Sequence, residues 1–175
     1  MPNHADLVRN IAGTGAWKRF IEERGGRFQF DLENADLAGV DLHGAVLIEA
    51  KLAGCNFSGA NLSKANLLKS DARAANFSDA NLQWAQMNEV DLSNANLTGA
   101  DLTESSLDQA KVSGTDFSSA DMTRVHAYIV DFSSAVFRPK SVLGAELYAS
   151  TFRNCKEVDF SGAKLRGAGS GSLSI

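Results

Sequence analysis

From Phe30 to Phe152 the chain is written in an unbroken period of five. Units such as Ala35-Asp36-Leu37-Ala38-Gly39, Ala60-Asn61-Leu62-Ser63-Lys64 and Ala100-Asp101-Leu102-Thr103-Glu104 follow one another without a gap. Counting from Leu32 in steps of five reaches Phe152 after 25 centres, made up of 13 Leu, 6 Phe, 2 Met, 2 Val and 2 Ala. None is polar. Two places before each centre stands a small or modest residue, Ala in 14 units, and one place before it Asp or Asn in 15. A fixed period of this kind constrains the fold before any local propensity does.

Neither regular element accommodates a period of five. On an α-helix successive centres would be turned well away from one another, and on a flat strand an odd step alternates faces. All the centres point inward only if the chain turns at every unit, so that each pentad is one short side of a coil. Coils then stack through parallel backbone pairing at roughly 4.8 Å. The small residue two places earlier lets the backbone close around the large centre, and the free positions after it, Ser63 and Ser118 among them, are expected to face water.

This pattern resembles the pentapeptide repeat family, whose motif is Ala-Asp/Asn-Leu/Phe followed by two free positions. The resemblance implies an all-β solenoid: a right-handed, quadrilateral β-helix with four pentads per coil. Sorting the centres by steps of twenty then puts Phe57, Phe77, Phe117 and Phe137 in one column with Leu37 and Leu97, while the columns from Leu42 to Val142 and from Leu47 to Leu147 contain no Phe. Such segregation is expected if these side chains stack between neighbouring coils.

The domain reading has three parts. Residues 1–29 are expected to be a short α-helical cap, residues 30–152 the β-helix, and residues 153–175 a loop, a final incomplete coil centred on Phe160 and Leu165, and a flexible Gly/Ser tail. In the cap, Asn3 opens a helix bearing Leu7, Val8 and Ile11; a second helix, Ala16 to Arg24, places Trp17, Phe20 and Ile21 on one face. That stripe has a use in covering the first coil, where a solenoid exposes its core and its unpaired backbone. Arg138-Pro139-Lys140 is the one non-motif corner inside the run and is expected to bulge. Ala72 and Ala127 are weak centres, the second compensated by Val125 in place of Ala.

Charge is unevenly placed. The net charge is -4, yet residues 31–150 carry 16 acidic against 8 basic residues, and both ends are basic. Over half of the rod's acids are Asp in the motif's own slot, which reads as a solvated face. No apolar run approaches the roughly 18 residues of a membrane span, and the first residues lack the basic and apolar regions of a signal peptide, so a cytoplasmic location is the expectation. Cys55 and Cys155 fall about five coils apart, too far for the ~7 Å limit of a disulfide, and read as small inward-facing residues.

No catalytic chemistry is legible. His4, His43 and His126 fall in the cap and about four coils apart, so they do not converge on a metal or a reacting group. The serines occupy loose slots with no His–acid arrangement to activate them. No cofactor and no metal site is implied. The leading reading is a non-catalytic interaction protein, a rod that presents side chains to an as yet unidentified protein partner. The rival is a DNA mimic of the topoisomerase-binding branch of the family, acting on gyrase; a purely structural module is the third. Mimicry needs acids in uninterrupted rows, and the richest Asp column, Asp31, Lys51, Asp71, Asp91, Lys111, Asp131, is broken by two lysines. That branch also closes with a C-terminal cap, for which no apolar helix-forming segment remains here. Binding of nucleic acid or of a membrane is disfavoured; weak self-association is the remaining option.

The side expected to meet a partner is centred on Leu47, Leu67, Met87, Leu107, Ala127 and Leu147. Its free slots hold Val46, Ile48, Leu68, Tyr128, Ile129 and Tyr148, apolar residues that the motif does not require. At its edge the column Lys64, Trp84, Glu104, Arg124 adds an exposed Trp among charges, with His126 nearby. Trp, Tyr and Arg are the side chains that most often anchor interfaces.

Overall fold

The computed structural model describes residues 4–11, 19, 22–23, 28–153, 155 and 158–169. Its backbone pairs with itself twenty residues on: Asp31 bridges Lys51, Asp36 bridges Asn56, Asp41 bridges Asn61 and Val46 bridges Asn66, all parallel, and the series repeats up the chain. Four bridges per twenty residues make a coil of four short sides, each one pentad. We number the sides by their first centres: Leu32 on the first, Leu37 on the second, Leu42 on the third and Leu47 on the fourth. The coils stack as a solenoid.

The pentads share one pattern of backbone hydrogen bonds, broken near residues 110–141 within the 30–152 run. The N–H of the centre donates to the next coil, as Leu32 does to the Lys51 carbonyl at 2.8 Å, and the bridging residue donates back, as Lys51 does to the Phe30 carbonyl at 2.9 Å. The second residue after the centre also donates upward, as Asn34 does to the Ala53 carbonyl at 2.9 Å, and the next closes a turn, as Ala35 does on the Leu32 carbonyl at 2.9 Å. This turn puts the second residue after the centre at positive φ. Among the described residues fifteen other than glycine take that conformation, including Trp84 (56°), Arg124 (54°) and Ile129 (58°). The left-handed region disfavours L side chains, β-branched ones most of all. Ile129 is the one β-branched residue among the fifteen.

That requirement explains the irregular corner. Pro139 stands where positive φ is called for, and its ring holds φ near -65°. The ladder slips there: Lys140, rather than Ser141, donates to the Ala120 carbonyl, at 2.8 Å. A second slip lies one corner earlier, where Gly114 donates to Ser134 at 3.1 Å.

The Asp/Asn slot has a structural reason. Its Oδ1 accepts the N–H two residues on, closing an Asx turn over the corner: Asn61 Oδ1 takes the Ser63 amide at 3.2 Å, Asn76 the Ser78 amide at 3.1 Å and Asp101 the Thr103 amide at 2.9 Å. Asn side chains also chain together up the second side, Asn56 Nδ2 donating to Asp36, Asn76 to Asn56 and Asn96 to Asn76 at 2.9 to 3.2 Å.

All 25 centres are buried. Phe57 and Phe77 stack across neighbouring coils, centroids 5.0 Å apart and rings 11° from parallel, as do Phe132 and Phe152 at 5.1 Å and 7°. Phe117 and Phe137 meet edge to face at 6.0 Å and each also touches Phe132, so the upper aromatic cluster crosses from one side to the next. Val125 beside the weak centre Ala127 is fully buried, in keeping with its larger size. Polar residues in the small inward slot donate to the centre carbonyl of the coil below: Cys55 Sγ to Leu32 at 2.6 Å, Thr115 to Leu92 and Ser150 to Ala127 at 2.7 Å. Burial pushes the Cys55 thiol up to about 11. Ser70 and Ser105 sit in the same slot with hydroxyls that have no partner among the described residues.

One expectation needs correction. Ser63 does not face water; it is 7% exposed, its Oγ between Asn61 Oδ1 at 2.7 Å and His43 Nδ1 at 2.8 Å. After Phe152 the phase changes: the bridges Glu146 to Lys164 and Thr151 to Gly169 span eighteen residues instead of twenty. Leu165 thereby follows Leu147 on the fourth side, and Phe160 lies against Phe137 and Phe152. Cys155 is free and half-buried against the core.

Helix α1, His4–Ile11, lies against the first coil: Ala5 and Val8 are buried in the core cluster, and the Arg9 guanidinium bonds Asp6 and the Asp36 carbonyl. Asn3, the Trp17, Phe20 and Ile21 stripe and the end of the Gly/Ser tail lie outside the described residues.

Candidate interaction face

The Asx turn divides what the scaffold requires from what it leaves free. Of the 25 residues in the bridging slot, ten are neither Asp nor Asn, and five of the ten are in one column: Val46, Gln86, Ser106, His126 and Glu146, with Asn66 the exception. The first side breaks the rule three times, at Lys51, Lys111 and Thr151, and the second and third once each, at Val136 and Ser141. On the fourth side the corner amides are capped another way. Asn88 Oδ1 accepts the Asp108 amide at 3.1 Å and Asp108 Oδ1 the Tyr128 amide at 2.9 Å, each from the coil below. The bridging side chains of this side are thus released from the turn.

The register sorts the nine candidate residues onto this side or its edges. Val46 and His126 share its bridging column; Ile48, Leu68, Tyr128 and Tyr148 share the next; Ile129 is at one corner, Trp84 and Arg124 at the other. They do not form one patch. Val46, Ile48 and Leu68 lie in the first two coils, and Arg124, His126, Tyr128, Ile129 and Tyr148 in the fifth and sixth, with polar Asn88 and Asp108 between. Three coils, about 14 Å, separate Leu68 from Tyr128. Ile129 is 66% exposed, Trp84 46% and Ile48 37%; Val46, Leu68, Tyr128 and Tyr148 are half-buried.

In the upper cluster the Tyr128 and Tyr148 rings are 5.1 Å apart. Glu146 beneath them gathers three groups: Lys164 Nζ at 2.7 Å on Oε1, with the Tyr128 hydroxyl at 3.0 Å and His126 Nδ1 at 3.3 Å on Oε2. The hydrogen bonds from Lys164 and then Tyr128 hold the Glu146 carboxyl below its ordinary value, and the same carboxylate pushes the Tyr128 phenol and the Lys164 ammonium up.

At the corner, Trp84 is not simply a free ring among cations. Its Nε1 donates to Glu104 Oε2 at 2.9 Å, Arg124 Nη1 takes Glu104 Oε1 at 2.6 Å, and the Lys64 ammonium lies 5.8 Å from the ring centroid. Glu104 is held below its ordinary value, first by Trp84 and then by Arg124. Glu146, Lys164 and Arg166 complete the face and were not foreseen, since Lys164 and Arg166 reach it only through the shortened last coil. Leu143, 61% exposed just round the Arg124 corner, was also missed, although it breaks a polar column of His43, Ser63, Gln83, Thr103 and Thr123 that the sequence displays.

The pairing of His43 with Ser63 has the components of a nucleophile and a base but not the access. The Ser63 hydroxyl is shared between Asn61 Oδ1 at 2.7 Å and His43 Nδ1 at 2.8 Å, and the serine is buried away from any substrate. On the first side, Lys51 pairs with Asp31 at 3.1 Å, Arg73 with Asp71 at 2.7 Å and Lys111 with Asp91 at 3.7 Å, so the acids of that column are locally answered. Among the described residues no cluster of three or more His, Cys, Asp or Glu is arranged to hold a metal ion, and no helix is long and apolar enough to cross a membrane.

Comparison with known proteins agrees with this geometry. Residues 40–117 match the family model described as a pentapeptide repeat region. No curated protein sequence matches the chain. Among solved structures, HetL, a pentapeptide repeat protein involved in heterocyst differentiation regulation from the cyanobacterium Nostoc sp. strain PCC 7120, is 27% identical with a TM-score of 0.59. That match covers 79% of this chain and 60% of HetL, so the chain spans less than two thirds of that relative's length. Rfr23, a pentapeptide repeat protein from the cyanobacterium Cyanothece 51142, is 24% identical over 67% of this chain and 60% of its own, with a TM-score of 0.37. QnrB1, a plasmid-mediated fluoroquinolone resistance protein, is 24% identical over 83% of this chain and 85% of its own, with a TM-score of 0.31. The five-residue period, the twenty-residue parallel register and the Asx-capped corners are thus the structural form of the pentapeptide repeat region that residues 40–117 match.

Proposed function

We propose that this protein is a non-catalytic pentapeptide repeat scaffold that binds a protein partner through the fourth side of its rod. In this reading the solenoid is a right-handed quadrilateral β-helix, α1 closes its first coil, and the protein works in the cytoplasm. The observation that carries the proposal is the concentration of departures from the Asx slot on one side. Five of the ten departures fall on the fourth side, against three on the first and one each on the second and third, and the fourth presents Val46, Gln86, Ser106, His126 and Glu146 beside exposed Ile48, Trp84 and Ile129. Ile129 adds weight, because a β-branched residue at positive φ is a poor choice for the fold alone, and such outliers gather where function selects them.

The test is a photo-crosslinking side chain placed at Ile129 and, separately, at Ser78 on the second side. Adducts from Ile129 alone, removed by the triple variant Trp84→Ala, Tyr128→Ser, Tyr148→Ser, are the expected result. Equal adducts from both positions, or adducts that survive in the triple variant, would refute the assignment of this side.

A further inference from the structure

We infer that the upper part of the fourth side receives an acidic, apolar-containing segment of its partner protein; the inference rests on the reading of that side as a binding face. From the fifth coil upward its outward positions hold three fixed cations, Arg124, Lys164 and Arg166, with His126 beside them and Glu146 as the sole acid among the described residues. The ion pairs there are layered. Glu146 has a side-chain exposure of 22% under Lys164 at 58%, and Glu104 has 35% under Arg124 at 67%, so an approaching surface meets the cations first. Arg166 has no acidic partner among the described residues. Between these charges stand the Tyr128 and Tyr148 ring pair and Ile129, apolar ground for one or two side chains.

The rest of the rod is the opposite in sign. Residues 31–150 carry twice as many acids as bases, and an acidic segment is repelled along most of that surface. It is drawn to one place, where opposite charge frames an aromatic floor, and complementarity of this kind sets orientation and register more than raw affinity. A basic segment or a nucleic acid would sort differently: the first would spread over the acidic sides, and the second would need more than this short row of cations.

The experiment titrates the full chain with two short end-blocked peptides that share Leu and Phe positions, one rich in Glu and Asp, the other with Lys and Arg in their place, together with a short single-stranded DNA. The acidic peptide is expected to bind with an affinity that falls as salt rises, and about tenfold more weakly to the Arg124→Glu, Arg166→Glu double variant. A matched charge reversal on the first side, Arg73→Glu with Lys111→Glu, is expected to leave it unchanged. All four positions are exposed, so neither pair disturbs the core. The inference is overturned if the basic peptide binds as well as the acidic one, if the first-side reversal costs as much, or if DNA displaces the acidic peptide. Binding of both peptides equally, with loss of both in Tyr128→Ser, Tyr148→Ser, would sink the acidic preference and leave the fourth side standing as the contact face.

Discussion

Replacing Asn76 by Ala tests the argument that separates scaffold from free surface. Asn76 Oδ1 accepts the Ser78 amide at 3.1 Å and Asn96 Nδ2 at 3.2 Å, while its own Nδ2 donates to Asn56 Oδ1 at 3.2 Å. Three hydrogen bonds are lost, each contributing about 0.5–1.5 kcal/mol net. Asn76 and Ser78 are only half-buried, so water answers part of what is left unpaired, and we expect a loss of about 2 kcal/mol rather than the full sum. For a chain of this size that corresponds to a melting temperature lower by roughly 4–8 °C. Gln86 occupies the identical slot on the fourth side, is exposed and caps no turn, so Gln86→Ala should stay within about 0.5 kcal/mol of the parent. Urea unfolding with unchanged slope reports both differences as midpoint shifts. Asn76→Asp, which keeps the acceptor and loses only the donor, should fall between them. If Asn76→Ala proves as silent as Gln86→Ala, the Asx turn is not why the slot is Asp or Asn, and the fourth side loses its claim to be the released one.

Leu82→Asp should abolish cooperative folding, because it removes about 2 kcal/mol of burial and places a charge among fully buried neighbours; a variant that melts like the parent by circular dichroism would exclude an inward centre. The carboxyls of Asp131 and Glu146 are held below their ordinary values of 3.8 and 4.5, so their stabilisation is fully present above those values and is lost as pH falls through the lower folded values. Thermal stability should therefore be level near neutrality and decline below about pH 4, and a decline already under way near pH 6 would refute the carboxylate assignment. Deleting residues 1–25 strips Ala5 and Val8 from the first coil and should produce end-to-end association; a truncated chain that stays monomeric at high concentration by light scattering would count against α1 as a cap.

The sequence by itself determined the solenoid, because its information is local and repeated. An inward residue every five, a small residue two places earlier and a polar one between can be satisfied only by a chain that turns at each unit and stacks on itself, and the 25 buried centres from Leu32 to Phe152 follow from that. The positive-φ corner was also written there, in glycines such as Gly39 and Gly44 at the second place after the centre, but it becomes compelling only when Pro139 disturbs the ladder. What the tertiary structure decided are relations between residues twenty apart, where the motif leaves the choice open. Ser63 is closed by His43 from the coil below, Trp84 is tied to Glu104 and Glu104 to Arg124, and the apolar residues of the fourth side divide into two clusters. In the last coil the sequence displays the centres Phe160 and Leu165, but only the bridges show that this coil is eighteen residues long and which side chain sits over which. That register brings Lys164 onto Glu146 and Arg166 above Tyr148. Period dictates burial; the register between coils dictates which outward side chains become neighbours, and the binding face is made of neighbours.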